Sequence, residues 1–223
     1  CYPLTIRDEY SRYILDISAL PGTGWERTRD CFSKCFSHYG KPKVIRSDNG
    51  TPFASIRAVA GLSRLAVWWI KLGIMPNRIL PSSPQMNGAH ERMHLDMKKE
   101  LQINPKCNLR EEQERFDIWK KEFNTIRPHQ ALNRKTPSDL YRRSKRIYKA
   151  TIEEYDYPKD MEIRKVCGRG MVSWNNQRKF LSNALANEYI GIKAEPKERI
   201  SLWFCELFLG ETDECFSTPL AGH

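Results

Sequence analysis

The chain has 223 residues, 37 Lys and Arg against 27 Asp and Glu, and a formal net charge of +10. That length permits one large or two smaller domains with a real core. No run of about 20 apolar residues and no basic-then-apolar leader is present, so a soluble, intracellular protein without a membrane partner is expected. The charge is uneven: residues 1–150 hold 28 Lys and Arg against 15 Asp and Glu, whereas 151–223 hold 9 against 12. A basic excess attracts polyanions and makes their binding salt-dependent, which favours nucleic acid as the partner of the first part over a merely solvated basic surface.

In chain order, β-branched and aromatic residues over 1–7 and 12–19, flanking Asp8-Glu9-Tyr10-Ser11, predict a hairpin ended by Pro21-Gly22-Thr23-Gly24. Trp25, Cys31, Phe32, Cys35 and Phe36 recur at helical spacing up to Gly40, predicting a helix over 25–39 that leads into a strand over 43–47. Residues 54–72 predict a helix broken or bent near Gly61, with Trp68 and Trp69 as core, and 77–80 a short strand. The Pro-Ser-Ser-Pro loop over 81–84, with Gly88 shortly after it, reads as an active-site flap before a helix carrying Glu91. Residues 108–124 predict an amphipathic helix with Leu109, Phe116, Trp119 and Phe123 as core contacts, closed by Arg127-Pro128-His129. A basic connector, Arg142-Arg143-Ser144-Lys145-Arg146, follows, and from about Tyr155 five short β runs suggest a small antiparallel barrel.

The seven cysteines are odd in number, scattered and without a Cys-x-x-Cys pair, which fits reduced thiols rather than a disulfide framework. Cys31, Cys35 and His38 would share one helical face and are expected as packing residues, because three ligands on one helix do not complete a structural zinc site.

Two acids stand out. Val44-Ile45-Arg46-Ser47-Asp48-Asn49-Gly50 ends an apolar strand in an acid and a tight turn, and Asn87-Gly88-Ala89-His90-Glu91-Arg92 heads a helix, 43 positions on from Asp48 to Glu91. Carboxylates on two elements can share a hard cation, because Mg²⁺ and Mn²⁺ prefer oxygen ligands. His90-Glu91-Arg92-Met93-His94 also satisfies the zinc-peptidase pattern His-Glu-x-x-His. No downstream pattern supplies its third ligand, so a zinc metallopeptidase is the weaker alternative.

Asp8-x-x-Ser11-Arg12-Tyr13, Ser47-Asp48-Asn49-Gly50, Pro84-Gln85-x-Asn87-Gly88-x-x-Glu91-Arg92 and Asn124-x-x-Arg127-Pro128-His129-x-Ala131-Leu132-x-x-x-Thr136-Pro137 occur in that order. Together they resemble the integrase-type core of bacterial insertion-sequence transposases, relatives of retroviral integrases. The resemblance implies an α/β fold: a ribonuclease H-like mixed-sheet core lacking its first strand over 1–150, then a small antiparallel β-barrel-like module over 151–223. It also implies metal-dependent polynucleotidyl transfer on DNA, with Asp48 and Glu91 as catalytic acids ligating Mg²⁺ or Mn²⁺. Lys98, Arg92, Arg142 and Arg143 are the implied DNA contacts; Arg127 and His129 are expected to close the last core helix. Transposon ends and target DNA would be the partners, the full-length protein a homo-oligomer, and its place the bacterial cytoplasm at the nucleoid. The family's first catalytic Asp lies on a strand upstream of Cys1, so the chain is read as a fragment, expected to be inactive alone. Asp8 matches the hairpin turn of the family and Asp16 lacks a motif, so neither is expected to replace the absent acid. A non-catalytic DNA-binding remnant is the alternative reading.

Overall fold

Tyr2–Arg7 (β1) and Ile14–Leu20 (β2) pair antiparallel in the computed structural model, with Leu4 opposite Ser18 and a bulge at Ile6/Arg7. The model describes residues 1–55, 58–78, 88–101 and 108–220. Asp8 builds the hairpin turn: its Oδ2 accepts from the Ser11 amide at 2.8 Å and the Ser11 hydroxyl at 2.6 Å, while Arg12 takes a left-handed φ of 64°. Such a side chain imitates a backbone turn partner, so the carboxylate is occupied locally.

The remaining elements are Trp25–Tyr39 (α1), Val44–Ser47 (β3), Arg64–Lys71 (α2), Met75–Arg78 (β4), Gly88–Leu101 (α3), Leu109–Thr125 (α4) and Pro137–Leu140 (α5). Then come Glu162–Lys165 (β5), Met171–Trp174 (β6), Gln177–Phe180 (β7), Tyr189–Glu195 (β8), Arg199–Phe204 (β9) and Leu207–Asp213 (β10). The chain forms two compact units: Cys1–Pro42 with Ile79–Ala150, and Lys43–Arg78 with Thr151–His223. Residues 43–78, expected with the first 150, therefore pack with the C-terminal region.

In the first unit, Ile14, Ile17, Met93, Met97, Phe116, Trp119 and Phe123 form one buried cluster. Asn108 caps α4, its Oδ1 accepting from the Glu111 amide at 2.9 Å, which satisfies one of the helix's orphan donors. Phe116, Trp119 and Phe123 are buried as expected; Leu109 is not, at 38% exposed, because it sits in the first turn next to the cap and off the buried face. Two side-chain amides of α4 close the edge of β2. Asn124 accepts from Ile14 N and donates to Ile14 O, and Gln113 accepts from Ala19 N and donates to Ile17 O, all at 2.8–2.9 Å.

In the second unit, β3 and β4 pair parallel, Val44 opposite Met75 and Ser47 opposite Arg78. The helix expected over 54–72 is α-helical only from Arg64. Ala60 and Gly61 adopt φ of 49° and 60° around a short 3₁₀ turn, Val59–Gly61, and Ser63 caps α2 by accepting from the Ala66 amide. Left-handed backbone cannot continue a right-handed helix, so the bend near Gly61 is a full break. Trp69 is fully buried and stacks on Phe53 at 6.2 Å. Leu62, Ala66, Val67 and Ile70 pack with Val172, Leu181, Leu185, Ile190, Ile200 and Leu202 in one core, and Lys71 pairs with Glu188 at 2.8 Å.

The five expected β runs are six strands, because 200–208 turns at Cys205, where φ is 50°. Strands β10-β9-β8-β5 make an antiparallel sheet and β6-β7 a separate hairpin, so among the described residues strand pairing does not close the expected barrel. Gly191 on β8 leaves room for the segment ahead of β5: a Cβ there would lie 2.7 Å from the Tyr157 ring. The Tyr157 hydroxyl donates to Tyr189 O at 2.8 Å and accepts from Cys205 N at 3.0 Å.

Candidate functional site

Asp48 follows directly on β3, exposed, with Oδ1 accepting from the Gly50 amide at 2.9 Å. The Asn-Gly turn thus orients one carboxylate oxygen, and among the described residues Oδ2 accepts no hydrogen bond. Glu91 stands exposed in the first turn of α3, where the positive end of the helix dipole favours a carboxylate. Asp48 belongs to the second compact unit and Glu91 to the first. Both offer only oxygen donors, the ligand type a hard divalent cation takes.

Along α3, Arg92 pairs with Asp96 at 3.5 Å, and Lys98 is exposed two turns beyond Glu91. Asn87 and Ser83, with the expected flap over 81–84, lie outside the described residues, as does Cys107. The basic connector is anchored: Ser144 N donates to Tyr39 O at 3.0 Å, Lys41 N to Arg146 O at 2.7 Å, and Ser144 Oγ to Lys41 O at 2.6 Å. Gly40, at φ 79°, makes this approach possible, since a Cβ there would stand 2.5 Å from Ser144 O. Arg142 and Arg143 are exposed but reach carbonyls, Arg142 Nη1 donating to Tyr141 O at 2.8 Å and Arg143 Nη2 to Ser37 O at 3.4 Å.

Arg127 and His129 close the helical part of the first unit. Arg127 grips both oxygens of Glu100 and lies 5.5 Å from the Trp119 ring centroid, while Trp119 Nε1 donates to Glu100 at 2.9 Å. His129 lies 4.6 Å from Phe123, ring to ring. Asp16 bonds Ser18 at 2.6 Å, and burial pushes its carboxyl above the usual range. Cys35 is buried and its thiol is pushed up to about 12, mainly by burial. Among the described residues no group of three His, Cys, Asp or Glu is placed to share an ion, so Cys31, Cys35 and His38 do not converge, nor does a third such side chain join His90 and His94.

Those two histidines have a partner that the sequence reading missed. His90 Nε2 lies 2.9 Å and His94 Nε2 3.0 Å from the same oxygen, Thr5 Oγ1 on β1, with the rings 4.7 Å apart. Burial, then His94 and Arg7, lower the His90 pKa to about 3. Arg7 is itself lowered to about 10, mainly by burial; its Nη1 donates to Ala89 O at 3.1 Å while its buried Nε lacks a partner. The period-2 placement of Thr5 and Arg7 on one face of β1 was the available signal.

Residues 72–137 match the family model described as integrase core domain. The match spans Glu91, Arg92, Lys98, Arg127 and His129 and stops short of Asp48. The chain is 26% identical over 138 residues to an insertion element IS476 uncharacterized 39.2 kDa protein of Xanthomonas euvesicatoria, covering 61% of this chain and 38% of that protein. The chain therefore spans well under half the length of this relative. A simian T-cell lymphotropic virus intasome in complex with PP2A regulatory subunit B56 gamma aligns at 16% identity and TM-score 0.49, over 92% of this chain and 70% of that one. Mixed α/β content accords with an integrase core, and no described helix is long and apolar enough to cross a membrane. Residues 72–137 are thus similar to an integrase core domain, and the chain is similar to a protein of an insertion element.

Proposed function

We propose that this chain is part of a DNA transposase that carries out polynucleotidyl transfer, with Asp48 and Glu91 as two of three metal-binding acids. What carries the reading is Glu91, held in the first turn of α3 within the matched segment and free of any ion pair among the described residues. Bound Mg²⁺ or Mn²⁺ would polarise the scissile phosphate and lower the pKa of the attacking water or hydroxyl. Asp48 and Glu91 would hold it through carboxylate oxygens. Lys98 and Arg92 on α3, with Arg142 and Arg143 on the connector, would neutralise DNA phosphates and set the strand's register. In the transfer step a 3′-hydroxyl attacks a target phosphodiester, its new P–O bond forming as the target's own 3′-oxygen leaves.

In the whole protein the chain is proposed to act as part of a homo-oligomer on transposon ends and target DNA at the nucleoid.

A strand-transfer assay with Mg²⁺ or Mn²⁺ tests this. The expected result is salt-sensitive DNA binding, with strand transfer abolished by Asp48→Asn or Glu91→Gln; failure to bind DNA would refute the partner. Binding with no chemistry would favour a non-catalytic remnant, and Zn²⁺-dependent peptide cleavage lost on His94→Ala would favour the peptidase.

A further inference from the structure

Glu91 lies on the exposed line of α3 that also carries Leu95 and Lys98, so its place is set by how the helix beneath it is held. Met93 and Met97 seat α3 in the cluster that contains Ile14 and Ile17 of β2. Apolar packing is non-directional: it fixes the height of the helix over the strands and leaves its roll about its own axis weakly defined. Hydrogen bonds are directional, and they join α3 to β1. His90 Nε2 lies 2.9 Å and His94 Nε2 3.0 Å from Thr5 Oγ1, and Arg7 Nη1 donates to Ala89 O at 3.1 Å. We propose, resting on the reading of Glu91 as a metal-binding acid, that Thr5 is a positioning residue for it. The Thr5 hydroxyl, through His90 and His94, sets the roll of the first two turns of α3 and so aims the Glu91 carboxylate, with Arg7 holding Ala89 in support.

The tethered positions enclose Glu91 in the chain. Ala89 and His90 directly precede it, and His94 follows one turn later. Thr5 stands opposite the fully buried Ile17 in the hairpin register, so the tether is anchored in the same core that holds Met93. Glu91 is thereby fixed from one side and open on the other, as a side chain that must meet an incoming ion and substrate has to be.

Threonine suits this task. Its hydroxyl has one proton, so it donates to one ring and accepts the Nε proton of the other. One oxygen thus restrains two successive turns, with the two neutral imidazoles in opposite tautomers. The branch at Cβ restricts χ1, which holds that oxygen in place. The leverage is large: at an outer helix radius of about 5–6 Å, a roll of about 10° carries a side-chain tip about 1 Å. Misplacement of a reacting group by about 1 Å can cost about 10²-fold in rate. A small loss of helix orientation therefore reaches the chemistry well before it reaches the fold.

The test compares the full chain with Thr5→Val, Thr5→Ser and Glu91→Gln, in strand transfer over a range of Mg²⁺ and in backbone amide exchange. Thr5→Val keeps the shape and removes the oxygen. It should lower the maximal rate by about 10- to 100-fold, raise the Mg²⁺ concentration that gives half of that rate, and leave DNA affinity unchanged, and Thr5→Ser should restore most of the loss. Amide exchange should quicken at Arg92 and Met93 and not at Phe116 on α4. A merely structural role would reduce the folded fraction and scale the rate without moving the Mg²⁺ midpoint. A rate loss at fixed midpoint, a Thr5→Val chain indistinguishable from the parent, or a Thr5→Ser chain no better than Thr5→Val would each overturn the positioning role. If Thr5→Val does not fold, His94→Gln, which removes one arm of the bracket, should move the midpoint and the exchange in the same direction, and no movement overturns the role.

Glu91→Gln separates the two readings. Transfer lost in Glu91→Gln but intact in Thr5→Val overturns this inference alone, whereas transfer that survives Glu91→Gln overturns the role of Glu91 and this inference with it. Where the parent chain transfers no strands, Mn²⁺-induced broadening of the Glu91 side-chain resonance decides. It is expected in the parent and diminished in Thr5→Val; equal broadening in both overturns the positioning role, and none in the parent overturns the metal-binding role beneath it.

Discussion

Asn124 serves as a strand partner for Ile14. Its carboxamide accepts from Ile14 N at 2.8 Å and donates to Ile14 O at 2.9 Å, with the side chain buried. A helix side chain thus completes the edge of β2 where backbone pairing ends, so the amide and carbonyl of Ile14 are not left orphaned in the core.

Asn124→Leu is therefore expected to destabilise the first unit strongly. Each buried backbone group left without a partner costs about 1–3 kcal/mol, and two are exposed at once. Asn124→Asp should recover part of the loss, since it still accepts from Ile14 N but faces Ile14 O with another acceptor. Urea unfolding followed at Trp119, which packs in the same cluster, reads the midpoint; unchanged midpoints would contradict the strand-partner role.

Glu100 and Arg127 make a pH-dependent contribution. The hydrogen bonds from Arg127 hold the Glu100 carboxyl below the usual range, with Trp119 adding to the effect. A depressed carboxylate contributes stability above its unfolded pKa, and that contribution disappears as pH falls through the lower folded value. Because Glu100 is 40% and Arg127 31% exposed on their side chains, solvent screening keeps the contribution within about 1 kcal/mol. Arg127→Lys loses the two-pronged grip on Glu100 and the guanidinium over the Trp119 ring, so it should behave more like Arg127→Ala than a conservative change. Stability measured from pH 7 to pH 3 should fall less steeply in Glu100→Gln than in the parent chain.

His90 acts at higher pH. Its folded pKa of about 3 lies below the unfolded value of about 6.5, so between those limits the unfolded chain binds the extra proton. Lowering pH through that window therefore destabilises the fold, while above it His90 is neutral in both states and contributes no pH dependence. His90→Gln should flatten stability between pH 6.5 and pH 4, with the parent chain's His90 ring still unprotonated at pH 5 by NMR. A ring titrating near its ordinary value would show that it is not enclosed against Thr5.

Gly40→Ala should loosen the basic connector. The position combines a left-handed φ of 79° with a Cβ that would meet Ser144 O at 2.5 Å, so the substitution is expected to cost more than about 1 kcal/mol. Faster amide exchange at Ser144 and Arg146 would report it. If Arg142 and Arg143 contact DNA phosphates, Arg142→Ala with Arg143→Ala lowers the salt slope of binding by about one per lost contact, equally for all sequences.

Much of this architecture is written in local pattern. The β1-β2 hairpin, α1, β3, α3 and α4 follow from side-chain periodicity and from Asp8, Gly40 and Asn108 as turn and cap residues, because these signals act over a few bonds. The two acids and the Asn-x-x-Arg-Pro-His run were legible for the same reason, as residue types at fixed spacing. Other features depended on partners distant in the chain. Ala60 and Gly61 turned a bend into a break, Leu62 to Ile70 joined the core of the C-terminal strands, and Thr5 met histidines more than 80 positions away. Composition and spacing thus determined most of the helices and strands and which acids stand as candidates, whereas tertiary packing decided which elements share a core and what His90, Asn124 and the basic connector touch. A contact across many residues is chosen by the shape and polarity of the surface it meets, and that surface exists only after folding.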